Sequence, residues 1–346
     1  MKLDELLKFA VEKRASDLHI SAGLPPMIRV DGEMKRIKLP VFDALYVSKL
    51  IDDILTEEQL KQLRQRREID FALVLRDIAR FRVNVFYQHR GISAAFRIIS
   101  NVKPTLKTID SPKVFKEILQ APNGLIIVTG PTGSGKSTTL AAMIDYLNEN
   151  KRQHILTIED PIEFVHQSKY SLINQREVYR DTLSFADALR SGLREDPDII
   201  MVGEMRDLET VRLALTAAET GHLVLATLHT ASASKTVDRI IDIFPGEEVE
   251  LVRSILSESL RAVVAQTLVK KAKGKDGQTA AWEVMIATPA IKNLIREDKA
   301  AQIYSLIQTG RSHGMQTLDQ HLLKLCQKGV VDYEQARLKA MDKSYF

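Results

Sequence analysis

Apolar residues change their spacing along this chain, and each change predicts a different kind of element. Leu3, Leu6, Leu7, Ala10 and Val11 recur at helical intervals, and charged residues interrupt them as in an amphipathic helix, not as in the apolar core of a signal peptide. Shorter runs then read as strands: Asp17 to Ser21, Met27 to Val30 and, after a turn at Asp31-Gly32, Met34 to Leu39. A helical stretch from Tyr46 to Leu63 precedes strands at Ile69 to Leu75, Arg80 to Tyr87 and Gly91 to Ile99. These elements predict a small α+β domain over residues 1–100. Strand alternation in its middle places Arg80, Arg82 and Asn84 on one face and Phe81, Val83 and Val85 on the other.

Pro104 and Pro112 lie among polar residues, so 101–112 reads as a linker. Beyond it the texture changes. Buried-type runs at Leu125 to Thr129, His154 to Ile158, Ile199 to Val202 and Leu223 to Thr227 alternate with helical patterns at Ser137 to Asn148, Phe185 to Arg194 and Asp207 to Thr220. That alternation predicts a parallel sheet covered on both faces within a domain spanning 113–346. From Val249 onward the pattern is mainly helical, with a lysine-rich loop at Lys270 to Gly277 and one strand at Trp282 to Ile286.

Composition supports this division. With 346 residues and 45% hydrophobic content the chain can bury two cores. No apolar run approaches 18 residues, so a cytoplasmic protein is expected. The single cysteine, Cys326, excludes an intrachain disulfide and a four-cysteine zinc site, and it reads as a small apolar residue of the helix around Leu322 and Leu325. Residues 1–110 carry 20 Lys and Arg against 15 Asp and Glu, and the rest 29 against 30. An excess this modest fits a solvated basic face, or arginines aimed at an anion, better than a nucleic-acid surface.

Candidate chemistry concentrates in the second domain. Gly130, Pro131, Thr132, Gly133, Ser134, Gly135, Lys136 and Ser137 follow the run Leu125 to Val128 and precede the helical pattern opening at Thr138. Glycines let backbone N–H groups curl around an anion, Lys136 can reach phosphates, Ser137 offers a hydroxyl to Mg2+, and the helix N-terminus adds its positive end. The arrangement calls for a polyphosphate nucleotide. Glu204 ends the run Ile199 to Val202, where P-loop proteins place a group that serves Mg2+ through water or orients the attacking water; Gly203 stands where an Asp is usual. Glu159, Asp160 and Glu163 emerge from the same edge, and the sequence by itself leaves open which of them is a base. His222 and His229 bracket one strand, so they are not two metal ligands on a helix face. Arg80, Arg82, Arg90 and Arg97 could supply cations to a γ-phosphate.

The phosphate loop with Ser137-Thr138-Thr139-Leu140 and the acidic Ile158-Glu159-Asp160-Pro161-Ile162-Glu163 are joined by Leu193 to Asp198, Gly203 to Asp207, Gly221-His222 and Thr227 to Thr230. Together these resemble the secretion ATPases of type II secretion and type IV pili, and Ala15 to His19, Arg80 to Asn84 and Ala290 to Glu297 resemble their pilus-retraction branch. The resemblance implies an α/β fold, with a PAS-like N-terminal domain, a RecA-like ATPase domain with a helical C-terminal end, and a homohexameric ring holding ATP and Mg2+ between the domains. It implies Glu163 as general base, Glu204 as the Walker B glutamate, and His222 and His229 as a nucleotide-sensing pair. It also promotes Arg82 and Arg97 as γ-phosphate contacts, and makes Ala290 to Glu297 a helix needed for retraction, with Lys292 where the family pattern has Arg. The implied partners are an inner-membrane pilus platform protein and a paralogous retraction ATPase, at the inner face of the membrane, with no nucleic acid. An accessory retraction ATPase, a RecA-type nucleic-acid motor and a nucleotide-binding scaffold without hydrolysis are the competing readings. Lys136, Glu163 and Glu204 argue against the last.

Overall fold

Residues 2–13, 15–30, 32–75, 78–99, 103–275 and 277–346 are described by the computed structural model. They form two compact units, Met1–Lys103 and Pro104–Phe346.

In the first unit, α1 (Leu3–Glu12), β1 (Asp17–Ser21), β2 (Met27–Val30), β3 (Glu33–Arg36), α2 (Ala44–Asp52), α3 (Glu57–Arg66), β4 (Glu68–Leu75), β5 (Ala79–Gln88) and β6 (Gly91–Ile99) follow in order. The strands make one antiparallel sheet in the order β3-β2-β1-β6-β5-β4. Phe81, Val83 and Val85 face the core with Leu6, Leu7, Leu18 and Ile51, as the alternation predicts. The helix expected over Tyr46 to Leu63 is two helices. Thr56 stops the first by capping the second: its side chain accepts from the Gln59 amide while Gln59 returns a bond to the Thr56 amide. The expected turn at Asp31-Gly32 falls partly outside the described residues, because of Asp31.

The second unit opens with α4 (Val114–Ile118) and β7 (Gly124–Thr129), followed by α5 (Lys136–Asn150), β8 (His154–Glu159), β9 (Leu172–Glu177), α6 (Phe185–Gly192), β10 (Ile199–Val202), α7 (Leu208–Glu219) and β11 (Leu223–Leu228). Then come α8 (Ala233–Asp242), α9 (Val249–Ser259), β12 (Leu260–Lys270), β13 (Gln278–Ile286), α10 (Pro289–Arg296), α11 (Ile303–Thr309), α12 (Leu318–Gln327) and α13 (Tyr333–Lys339). Of the expected linker, residues 101 and 102 lie outside the described residues, and Leu106 is buried with Val114 and Phe115 in this unit's core.

The sheet order is β13-β12-β7-β11-β10-β8-β9, parallel except for the edge strand β13. Successive residues of each central strand point to opposite layers. Leu125, Ile127, Ile200, Val202 and Val224 pack against α6 to α11, while Ile126, Val128, Ile199, Met201 and Leu225 pack against α4 and α5. The sheet is therefore covered on both faces but is mixed, and β12 and β9 correct the reading from spacing. Leu260, Val263, Val264, Thr267 and Leu268 satisfy a helical interval, and a strand buried on both faces shows no alternation to contradict it. Helix α10 is the expected helix near residues 290–297. Its Lys292 ammonium donates to the Glu258 carbonyl at 3.2 Å near the end of α9.

Candidate nucleotide-binding site

Strand β7 delivers the chain at Thr129 into a loop whose glycines adopt left-handed conformations, with φ of 146° at Gly130, 77° at Gly133 and 87° at Gly135. At Gly130 a Cβ would come within 2.3 Å of the Gln266 carbonyl oxygen, so the loop closes on β12 only because that position has no side chain. Gln266, almost fully buried, clamps the loop: its carboxamide donates to the Ser134 carbonyl and accepts from the Thr139 hydroxyl at 2.8 Å. Lys136 and Ser137 open α5, and the Lys136 ammonium folds back to donate to the carbonyls of Gly130 at 2.9 Å and Pro131 at 3.1 Å. Burial pushes this ammonium below its usual range against the opposing pull of Glu204 and Glu163. The Ser134 hydroxyl is buried and has no hydrogen-bond partner among the described residues. An open left-handed loop, a helix N-terminus, a buried cation and an orphaned hydroxyl are what a polyphosphate requires, so the residues fit the group. Pro131, Thr132 and Gly133 are exposed, with Thr138 behind them at the edge of a cavity of about 490 Å³ that Gln266, Leu268 and Trp282 also line.

Glu204 leaves β10 beside this loop. The Gly203 amide donates to the Ile158 carbonyl at 2.8 Å, and a Cβ there would stand 3.1 Å from the same oxygen, so the strand end packs where a larger residue would crowd it. Thr227 of β11 donates its hydroxyl to the Gly203 carbonyl, tying the two strand ends. The Glu204 carboxylate accepts from Arg206 at 2.6 Å and lies 2.9 Å from His229 Nε2. Burial would raise its pKa, but Arg206, His229 and Lys136 overcome that and hold the group below the usual carboxylate range. His229 Nδ1 is 3.3 Å from the Lys136 ammonium. Behind it, the Thr129 hydroxyl accepts from the Thr230 amide at 2.9 Å, so the segment after β11 is pinned to the strand that starts the loop.

Strand β8 supplies the acidic group. Glu159 is buried and accepts from the Thr157 hydroxyl at 2.7 Å and the Gln175 carboxamide at 3.0 Å. Asp160 is exposed, and Glu163 is partly exposed and close enough to Lys136 to act on its charge. Of the histidine pair only His229 reaches the loop. His222 sits at the other end of β11, where its Nδ1 donates to the Ala217 carbonyl at 3.0 Å. A six-residue strand separates the two by about 20 Å, so within one chain they cannot touch one phosphate.

In the first unit Arg82 and Arg97 stand directly opposite each other on β5 and β6, and both are exposed. Arg97 donates Nε to buried Asp17 at 3.0 Å, which leaves its terminal nitrogens to solvent. Arg80 is buried and Arg90 donates to the Ala22 carbonyl. Gln266, Gln175, Thr129, Thr227 and Arg206 are site residues that reading the sequence bottom-up did not select. Gln266 carried one usable signal, a large polar residue inside an apolar run. Among the described residues no cluster of three acidic, histidine or cysteine side chains could hold a metal unaided, and no helix is long and apolar enough to cross a membrane.

A family model described as type II/IV secretion system protein matches residues 1–338. A Pseudomonas aeruginosa protein described as the type IV pilus retraction ATPase PilT is 62% identical over 340 residues, covering 98% of each chain. The type IV pilus ATPase PilU of the same organism is 41% identical over 336 residues, 97% of this chain and 88% of that one. A crystal structure of the pilus retraction motor PilT with bound ADP superimposes with a TM-score of 0.93 at 48% identity, covering 100% of this chain and 99% of that one.

Proposed function

The chain belongs to the type II/IV secretion system protein family, and from that membership we propose that it hydrolyses ATP to drive type IV pilus retraction and twitching motility. It is an ATPase of this family, with an α/β secretion-ATPase fold of a PAS-like N-terminal domain and a RecA-like ATPase domain. The observation that carries the reading is 62% identity over 98% of both chains to the retraction ATPase. The accessory-type relative stands at 41%.

In this proposal the loop amides and Lys136 bind the phosphates, and the cavity beside Gly135 and Thr138 has the size of a small-ligand site. Glu163 accepts the proton of the water that attacks the γ-phosphorus as the bond to ADP breaks. Lys136, with Arg82 and Arg97, offsets the charge on the transferred phosphoryl. His229 reports the nucleotide state to β11, and His222 lies on the far end of the same strand. Ser137 and Glu204 would hold Mg2+, Glu204 through water, and the ion when bound would neutralise phosphate charge. A homohexameric ring at the cytoplasmic face of the inner membrane would convert turnover into work on a pilus platform protein, with a paralogous retraction ATPase as a further partner.

The test is ATP turnover with Mg2+ as a function of protein concentration, with mass measured in parallel and Lys136→Ala as control. Turnover that rises as a hexamer forms, stops in the variant and on chelation, and ignores single-stranded DNA at low salt supports the motor. Full turnover in a monomer overturns the ring. A gene that fails to restore twitching to a retraction-deficient strain overturns the pilus assignment.

A further inference from the structure

We propose that buried Glu159 and half-buried Gln175 form a latch that positions Glu163, making Glu159 a positioning residue of the hydrolysis and not its base. The inference rests on the reading of Glu163 as the base. Glu159 ends β8, and the next residues must leave the sheet and bring Glu163 back toward the phosphate loop. The Glu159 carboxyl accepts hydrogen bonds from two neutral donors: the Thr157 hydroxyl at 2.7 Å and the Gln175 carboxamide at 3.0 Å. Gln175, on the neighbouring strand β9, extends the grip. Its Nε2 also donates to the Phe164 carbonyl at 2.9 Å, and its Oε1 accepts from the His166 amide at 2.7 Å. The pair thus fixes the backbone at residues 164 and 166, directly after the base.

Two observations separate this from ordinary loop packing. A buried carboxyl whose hydrogen-bond partners are neutral is costly: burial, with a smaller push from the Glu163 charge, drives it up to about 7 against the pull of its hydrogen bonds. A leucine of similar size would avoid that cost but would leave the two donors unpaired. The neighbouring residue Ile162 is held separately, its amide donating to buried Glu177 at 3.1 Å, so the latch acts on the part of the segment that bears the base and not on the whole loop. Thr157 and Gln175 both donate to the same oxygen, Oε1, and a glutamine at 159 can still offer that oxygen.

The experiment is steady-state ATP turnover and ADP binding for Glu159→Ala, Gln175→Ala, the double variant, Glu159→Gln and Glu163→Gln in the full chain. The latch predicts that each alanine variant loses about tenfold to a hundredfold in kcat with KM and ADP affinity within threefold of wild type. The double variant loses no more than the worse single one, because both changes release the same segment. Glu159→Gln recovers to within threefold. Alanine variants with wild-type kcat, losses that multiply in the double variant, or losses confined to KM overturn the latch. A variant that melts early is decided by Gln175→Ala, which alters an edge strand and spares the buried carboxyl. Turnover retained by Glu163→Gln instead removes the base assignment on which the latch depends, an outcome distinct from loss in Glu163→Gln with no loss in Glu159→Ala.

Discussion

The imidazole of His229 joins the phosphate-loop lysine to the glutamate that ends β10: Nε2 lies 2.9 Å from Glu204 and Nδ1 lies 3.3 Å from Lys136. An ammonium only donates, so Nδ1 is the acceptor and the ring proton sits on Nε2, facing the carboxylate. The two charged groups beside the phosphate loop are thus linked through one ring. His229→Phe keeps the volume and removes both bonds, and is expected to lower kcat about tenfold or more while ADP affinity changes by less than threefold. Calorimetric ADP titration beside turnover checks this, and unchanged kcat would dismiss the link.

Gln266 makes the corresponding prediction for binding. Gln266→Leu leaves the Ser134 carbonyl and the Thr139 hydroxyl without their buried partner, a cost of about 1–3 kcal/mol. Both a lower melting temperature and ADP affinity weakened by about tenfold are expected. A variant that melts lower yet binds ADP as tightly as wild type would show that the clamp supports the fold alone.

Glycines of the loop divide by what surrounds them. At Gly130 an added Cβ meets the Gln266 carbonyl at 2.3 Å, whereas at Gly133 nothing lies within 4 Å and only the positive φ is unfavourable. Thermal unfolding of the nucleotide-free protein should therefore show a larger drop for Gly130→Ala than for Gly133→Ala, the latter costing about 1–2 kcal/mol. Equal drops would mean that the loop relaxes away from β12.

A half-buried imidazole and a buried carboxyl give stability opposite dependences on pH. Burial, with Lys324 and Lys328, pushes the His321 imidazole from 6.5 down to about 4, so between those values the unfolded chain takes up the proton first and stability falls on acidification. Glu159 has its carboxyl raised from 4.5 to about 7, so the native state holds the proton first and stability rises on acidification across that range. Each effect is worth up to about 3 kcal/mol over its full window. Relative to wild type, His321→Asn should gain stability from pH 6.5 to 4.5 and Glu159→Gln should lose it. Urea unfolding at the two pH values reads both differences, and variants that track wild type would contradict the burial argument.

What was legible in the sequence was chemistry that needs particular residues in consecutive order. The phosphate loop, Glu204 and the acidic segment stand out in the sequence because a polyphosphate calls for such residue types in consecutive order. Less legible was whatever depends on a partner far along the chain. Gln266 acts on Ser134 from 132 residues away, and β12 imitates a helix because central strands lose their alternation when both faces are covered. The histidines show the same limit: Gly221-His222 and His229-Thr230 look like a pair in one dimension, but the strand between them sends one to each edge of the sheet. The division between α2 and α3 carried a local signal that apolar spacing passes over, the capping pair Thr56 and Gln59 three residues apart.

Strands β7, β11, β10 and β8 are consecutive neighbours, and each leads into one group of the candidate site. Neighbouring strands are about 4.8 Å apart, so the sheet works as a ruler: His229 stands one division from the phosphate loop, Glu204 two and Glu159 three. Loops beyond these strand ends can lengthen without altering the divisions. A slip of one strand by a single residue would shift its group along the scale and turn its side chains to the opposite layer. The tolerances of turnover are thereby written into residues such as Val224 and Ile200, which never approach a nucleotide yet hold the divisions of the scale in line.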